Sequence, residues 1–498
     1  MFSLILITCL TLLVLFVRQR YSYWRVRGVP SVKPWFPFGN LWGVGRKKHL
    51  AQVLLDCYEK LNGSGPFGGV HFFLGPVVVA LELDFVKNVL VKDFNHFHDR
   101  SLYYNEKDDP LTAHLFLIEG SKWKNLRNKL TPTFTSGKMK LMFPIVRDVG
   151  EQLEACLLKE LPANGEIEIK DILARYTTDV IGICAFGLDA GSLKDPESEF
   201  RVMGRQVFEI HPLLFVKLLL CQEFKKLARA MRVTVLNPKV ANFFLKTFEQ
   251  NVEYRENNKI IRNDFMSLLI KLKNNESIDE STSTGLGKMT MNEIAAQAFV
   301  FFFAGFETSS TLMSFCLYEL ACNQEVQDKA RANILETLER HGSFSYEAIH
   351  DMKYLENCIN ETLRKYPPAA NIFRQTTIDY NVPGTKFTIE KGTPVMVPIY
   401  AIHHDAEHYP NPEVFDPDRF DPEQVAKRHP FAFLPFGEGP RICIGMRFAM
   451  MQSRVGLAVL LRKFRFRLGS TMAGPLRLDP SSLILASVQG MVLKLEEL

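Results

Sequence analysis

The sequence predicts a mainly α-helical protein with small β regions, built as a single large domain behind an N-terminal membrane anchor. Three observations predict it: an uncharged apolar run from Phe2 to Val17, helical periodicity over most of the remaining chain, and no repeat, long linker or low-complexity tract after about residue 42. The chain has 498 residues, 47% hydrophobic and 23% charged, a globular composition that excludes a disordered or collagen-like protein. The balance of 60 Lys and Arg against 55 Asp and Glu gives +5 with no concentrated basic patch, so no nucleic-acid partner is expected. With 39 Phe against 14 Tyr and 4 Trp, the interior is rich in rings that lack a hydrogen-bonding handle, which suits a large apolar pocket. The 9 Cys are scattered singly with no CxxC, which argues against a disulfide framework or structural zinc and fits reducing cytosol.

The 16-residue run Phe2 to Val17 reaches ~24 Å as a helix, enough for a thin bilayer if Arg18 snorkels. No basic residue precedes it and no small-x-small site comes after it, so an anchor is expected and not a cleaved signal. Arg18, Arg20, Arg25 and Arg27 then place the rest of the chain in the cytosol by the positive-inside rule. Pro30, Pro34 and Pro37, within Gly28 to Asn40, read as a stiff extended connector. The division is therefore 1–17 anchor, 18–41 basic and Pro-rich linker, and 42–498 globular domain.

In the body, hairpins are expected at Val70 to Leu83, at Ile378 to Ile399, and between Leu483 to Ser487 and Met491 to Leu495. Helices are expected at 141–160, 167–186, 323–340 and 444–463. Lys273 to Lys288 reads as a surface loop, and Thr290 with Glu293 forms a capping box opening a helix that continues to about Cys322. Within it, Ala295 to Leu317 is long enough to span a membrane. Glu307, Thr308, Ser309 and Ser310 in its middle favour a helix buried in protein instead.

The sharpest chemical signal is Phe436-Gly437-Glu438-Gly439-Pro440-Arg441-Ile442-Cys443-Ile444-Gly445, a glycine-rich loop that delivers one cysteine to the mouth of a helix. Glycines admit a flat ligand close to the backbone, and a helix N-terminus favours a thiolate, so Cys443 suits an axial metal ligand. A lone cysteine would ordinarily be an inert buried thiol; the ten-residue pattern argues otherwise.

This segment resembles the haem-binding loop of the cytochrome P450 family, with Cys443 as the proximal iron ligand and Phe436 and Gly445 among the residues that hold haem b. Ala304-Gly305-Phe306-Glu307-Thr308-Ser309 resembles the family's oxygen-activation motif, which implies catalytic proton-relay roles for Glu307 and Thr308. At 100° per residue, Phe301, Ala304, Gly305, Thr308 and Leu312 share one helix face, and the Thr308 hydroxyl can bond back to the Ala304 carbonyl and bend the helix. Glu361 and Arg364, one turn apart, together with Arg419 in Pro417-Asp418-Arg419-Phe420, resemble the family's structural triad; Asp418 stands where Glu is frequent. Trp123 and Arg127, and further Arg100, Arg374 and Arg441, occupy the places of the family's propionate partners. The stretch from Trp123 to Lys140 looks most like the microsomal branch that holds insect xenobiotic-metabolising and vertebrate drug-metabolising enzymes.

The resemblance implies the cytochrome P450 fold and a haem-thiolate monooxygenase on the cytosolic face of the endoplasmic reticulum, inserting one oxygen atom from dioxygen into a lipophilic xenobiotic, hormone or lipid. No flavin domain or dinucleotide fingerprint is legible, so electrons from NADPH are expected through NADPH-cytochrome P450 reductase, with cytochrome b5 as a second candidate partner. Phe116, Phe301, Ala304, Ile372 and Phe373 are implied as substrate contacts. Pro212 to Cys221, apolar apart from Lys217, reads either as a segment dipping into the lipid membrane or as a core helix. Rival readings are a haem-thiolate isomerase or dehydratase acting on peroxides, which the Glu307-Thr308 pair argues against, and a non-catalytic haem or lipid carrier.

Overall fold

A helix that buries none of its side chains opens the computed structural model, which describes residues 2–209, 212–276, 288–472 and 474–498. This helix, α1 (Phe2–Tyr21), continues past Val17 through Arg18 and Arg20. Its 20 residues reach ~30 Å, long and apolar enough to cross a membrane. The basic and Pro-rich segment beyond it is laid along the body. Trp24, 3% exposed, donates its indole N–H to the Val70 carbonyl at 2.9 Å. Gly69 makes room for that ring, since a Cβ there would lie 2.4 Å from it. Ser31 pairs with Gly69 in a parallel bridge, and Asn40 exchanges hydrogen bonds of 2.7 Å with His71 in both directions. The physical reason is that Trp24 and Val29 bury apolar surface that a free linker would leave in water.

The edge they cover belongs to a mixed sheet ordered β1 (Phe67–Phe72), β2 (Gly75–Ala80), β7 (Pro394–Val397), β4 (Ile372–Gln375). β3 (Glu166–Glu168), β9 (Val492–Glu497) and β8 (Phe464–Leu468) form a second sheet, and β5 (Tyr380–Asn381) pairs with β6 (Thr388–Ile389). The expected hairpin between 483–487 and 491–495 does not form. Residues 492–497 pair with β3 and β8, while Leu485 turns away to donate to the Pro368 carbonyl at 3.4 Å. The alternating pattern does mark a strand at β9, but its partners lie elsewhere in the sequence.

Helices α2 (Gly120–Leu130), α3 (Ser136–Glu160), α4 (Ile169–Ile181), α5 (Met291–Cys322), α6 (Gln324–His341), α7 (Lys353–Lys365) and α8 (Met446–Lys463) build the body around the site. α5 starts where the capping box places it: Thr290 Oγ1 accepts from Glu293 N at 3.2 Å, and Glu293 Oε2 accepts from Thr290 N at 2.8 Å. It is a buried core helix, with 72% of its most apolar window inside the protein. Its rear face packs into a nest of rings, with Phe302 at 4.9 Å from Phe200 and 5.2 Å from Phe244. Most of the loop expected at 273–288 lies outside the described residues, as do residues 210 and 211.

Candidate active site

The glycine loop closes on itself where Cys443 N donates to the Phe436 carbonyl at 2.9 Å. Gly437 and Gly439 adopt φ of +71° and +76°, and a Cβ on Gly439 would lie 2.1 Å from the Leu90 carbonyl oxygen, so only glycine fits there. The loop delivers Cys443 just ahead of α8, whose N-cap is Gly445. Its side chain is accessible although the loop lies deep in the body. Burial pushes the thiol pKa up, while the Gly445 N–H and the guanidiniums of Arg127 and Arg100 pull it down. The cysteine thus faces an internal space with cationic neighbours already in place.

Those neighbours form a crowd of positive charge. Arg127 Nη1 donates to the Ile442 carbonyl at 2.9 Å, and Arg100 Nη1 donates to that of Phe116 at 2.9 Å with its guanidinium 4.0 Å from the Phe116 ring. Arg441 lies 4.1 Å over Trp123 and donates to the carbonyls of His98 at 2.5 Å and Ile118 at 3.1 Å; Asp99 is 3.5 Å away. Arg374 donates from Nη1 to the Phe373 carbonyl at 2.9 Å. Burial, then repulsion from Arg441, pulls Arg374 down to about 9, and burial brings Arg441 down to about 10. Arg100 is lowered by burial and by both of these. Arg374 Nε and Arg441 Nη1 are enclosed with no partner among the described residues. Buried guanidiniums in such numbers require anions. A group carrying two carboxylates and a metal for Cys443 meets that requirement, so the donor set fits iron protoporphyrin.

Across α5, Ala304 is exposed in the middle of the helix while Phe301, Phe302 and Phe306 are buried, and Thr308 is half-buried, so the helix opens onto space at these two positions. Thr308 Oγ1 donates to the Ala304 carbonyl at 2.5 Å. The shared face anticipated from the helical period is only partly open. Leu312 is buried, and Gly305 packs on Ile181 of α4. Phe301, expected to contact substrate, is 8% exposed and wedged between Phe134 and Phe265, with ring centroids 5.2 Å and 5.6 Å away. Core packing has claimed that ring. Ile372 is brought to the cysteine loop, its Cδ1 3.4 Å from where a Cβ on Gly437 would stand, and Phe373 is half-buried beside Arg374. Phe116 is 45% exposed.

Glu307 departs from the simplest relay. Its carboxylate pairs with Lys170 of α4 at 2.6 Å and is not hydrogen-bonded to Thr308. Sequence reasoning missed Lys170, because nothing local links it to α5. The triad residues do meet. Arg364 holds Glu361 bidentately at 2.7 Å and 2.9 Å, both side chains are 0% exposed, and Arg419 Nε lies 3.4 Å from the same carboxylate. Arg364 also donates to the carbonyls of His403 and Pro412, which ties α7 to the segment leading into the cysteine loop.

A profile of the family described as "Cytochrome P450" matches residues 29–493. Among similar curated proteins, "Cytochrome P450 6A1" of Musca domestica is 46% identical over 476 residues, covering 94% of this chain and 92% of that protein. "Cytochrome P450 6a2" of Drosophila melanogaster is 44% identical over 508 residues, covering 100% of both chains. "Probable cytochrome P450 6a13" of the same fly is 43% identical over 504 residues, covering 100% of this chain and 99% of its own.

Proposed function

Because this chain belongs to the cytochrome P450 family and is a haem-thiolate monooxygenase, we propose that it oxygenates a lipophilic small molecule at the face of α5 that opens at Ala304 and Thr308. Cys443 would hold the iron, and Arg100, Arg127, Arg374 and Arg441, with Trp123, would hold the propionates. The chemistry the haem supplies when bound is reductive activation of dioxygen, which an axial thiolate favours by donating electron density.

The observation that carries the substrate reading is that Ala304, a small apolar side chain, is the exposed position in the middle of α5, so the contact offered there is small and apolar. Phe116, Ile372 and Phe373 add apolar surface. Thr308 keeps a proton on Oγ1 beside that position, and Glu307, paired with Lys170, is a second group on the same turn through which a proton can pass. The exposed apolar side chains Leu213, Val216 and Leu220 on the helix Pro212–Glu223 suit contact with a bilayer that also takes α1, which supports a membrane-bound enzyme fed with lipophilic compounds. The endoplasmic reticulum, a cytosolic orientation and NADPH-cytochrome P450 reductase as electron donor complete the reading, with cytochrome b5 as a second donor.

The test is turnover of a panel of lipophilic compounds by the full chain in microsomes. Product that requires NADPH and reductase supports the proposal. Rearrangement of added peroxides with no need of NADPH would replace it with the isomerase reading.

A further inference from the structure

Four consecutive carbonyls in the middle of α5 receive side-chain donors. Ala304 takes Thr308 Oγ1 at 2.5 Å, Gly305 takes Gln452 Nε2 at 3.0 Å, Phe306 takes Thr177 Oγ1 at 2.9 Å and Ser310 Oγ at 3.0 Å, and Glu307 takes Ser310 Oγ at 3.1 Å. Side-chain donors on helical carbonyls compete with the i to i−4 backbone ladder and bend it. Thr308 and Ser310 belong to α5 itself, and Thr177 comes from α4. Gln452 is the donor that comes from α8, the helix just beyond Cys443.

Gln452 is 0% exposed, and its own backbone carbonyl accepts from Tyr176 OH at 3.0 Å. Its Oε1 is enclosed with no partner among the described residues. A buried acceptor left unpaired is a cost that Leu or Met of similar volume would avoid, so the amide is there for the bond its nitrogen makes, not for packing. That bond pins Gly305, one residue past Ala304 and three before Thr308, to the element that carries the cysteine.

We infer that Gln452 is a positioning residue for oxygen activation: by holding the Gly305 carbonyl toward α8 it fixes the Thr308 hydroxyl at a set height relative to Cys443. This rests on the proposed monooxygenase activity. The effect is geometric, since displacements of about 1 Å in such sites cost up to roughly a hundred-fold in productive chemistry.

The experiment compares the full-length holoenzyme with Gln452→Met and Gln452→Glu. Methionine keeps the volume and removes the donor. The ferrous carbon monoxide spectrum should stay that of a thiolate-ligated haem in both variants, while product formed per NADPH falls roughly ten-fold in the methionine variant. Amide hydrogen exchange across residues 304–310 should quicken by about the same factor, because one tie on that turn is gone. In the glutamate variant the donor exists only when the carboxyl is protonated, so coupling should recover as pH falls, a profile the wild type lacks. Unchanged coupling and exchange in the methionine variant would overturn the inference. So would loss of the carbon monoxide spectrum in both variants, since Gln452 would then be holding the haem loop. Absence of that spectrum from the wild type would overturn the monooxygenase reading instead, and the exchange measurement would still decide whether the tie exists.

Discussion

The backbone N–H of Leu434 donates to Nε2 of His403 at 2.9 Å, which fixes this fully buried imidazole in the tautomer with its proton on Nδ1, 3.1 Å from the Arg364 carbonyl. One ring therefore joins the Glu361–Arg364 pair to the segment that enters the cysteine loop. Burial, and next the Arg364 cation, hold the His403 pKa well below its ordinary value. As pH falls below about 6.5 the unfolded chain takes up the proton and the folded one resists, so stability is lost, by at most ~1.4 kcal/mol per pH unit for this group. Above that pH the contribution is complete and flat. Thermal unfolding of the wild type and of His403→Gln between pH 8 and pH 5 checks this: the wild type should lose stability more steeply on the acid side. His114 and His404, lowered by burial to about 3 and about 4, remain in both proteins and cancel in the comparison.

Cys443→Ser should abolish the strongly red-shifted Soret band of the reduced protein with carbon monoxide, while the far-ultraviolet helical signal is kept. The same band in the variant would mean that another residue holds the iron.

Thr308→Ala should leave haem content unchanged and divert reducing equivalents to hydrogen peroxide and water, with product per NADPH falling roughly ten-fold or more. Lys170→Met, which leaves the Glu307 carboxylate without its 2.6 Å partner, should also lower coupling, because the carboxylate is no longer held in place beside Thr308. Unchanged product per NADPH in the Lys170 variant would dissociate the ion pair from proton delivery.

Glu361→Gln should be the most destabilising of these single changes. It leaves Arg364 as a buried cation without its carboxylate, at a cost of about 3–5 kcal/mol. The yield of haem-loaded protein and its unfolding midpoint measure the effect.

Deleting residues 2–19, which spares the Arg20 and Tyr21 contacts with the body, should reduce membrane association and leave the melting temperature of the body unchanged, whereas deleting 2–27 should lower it. The second deletion strips Trp24 from the sheet edge, and removing a buried Trp side chain costs about 3–5 kcal/mol. Vesicle flotation and thermal melts of the two truncations test the pair.

Features written into short stretches of chain were legible in the sequence. The Thr290–Glu293 box fixes the start of α5, residues 436–445 fold onto themselves, and Glu361 and Arg364 meet because helical geometry places residues three apart on one face. What escaped is long-range. Gln452 reaches Gly305 across 147 positions, and His403 reaches Leu434 across 31. No periodicity encodes which of several polar side chains on a buried face will find a carbonyl on another helix. The packing of Phe301 against Phe134 and Phe265 escaped for a related reason, since the helical period gives a direction but not whether neighbouring rings already fill it. The apolar alternation that marked β9 carried no information about whether its partner was the preceding segment or β8.

The docking of the chain's first residues along the sheet bears on how the protein meets others. Ser22 is all that separates α1 from the short helix Tyr23–Val26, and the segment is held on both sides of it: Arg20 Nε donates to the Leu74 carbonyl at 3.2 Å and Arg27 pairs with Glu390 at 2.6 Å. With α1 in a bilayer, the body therefore hangs from a yoke and not from a tether. It cannot swivel freely, and the same flank is always turned toward the lipid. For the membrane-bound electron donor proposed above, that restriction would confine the search for a docking face to two dimensions and a limited range of aspects.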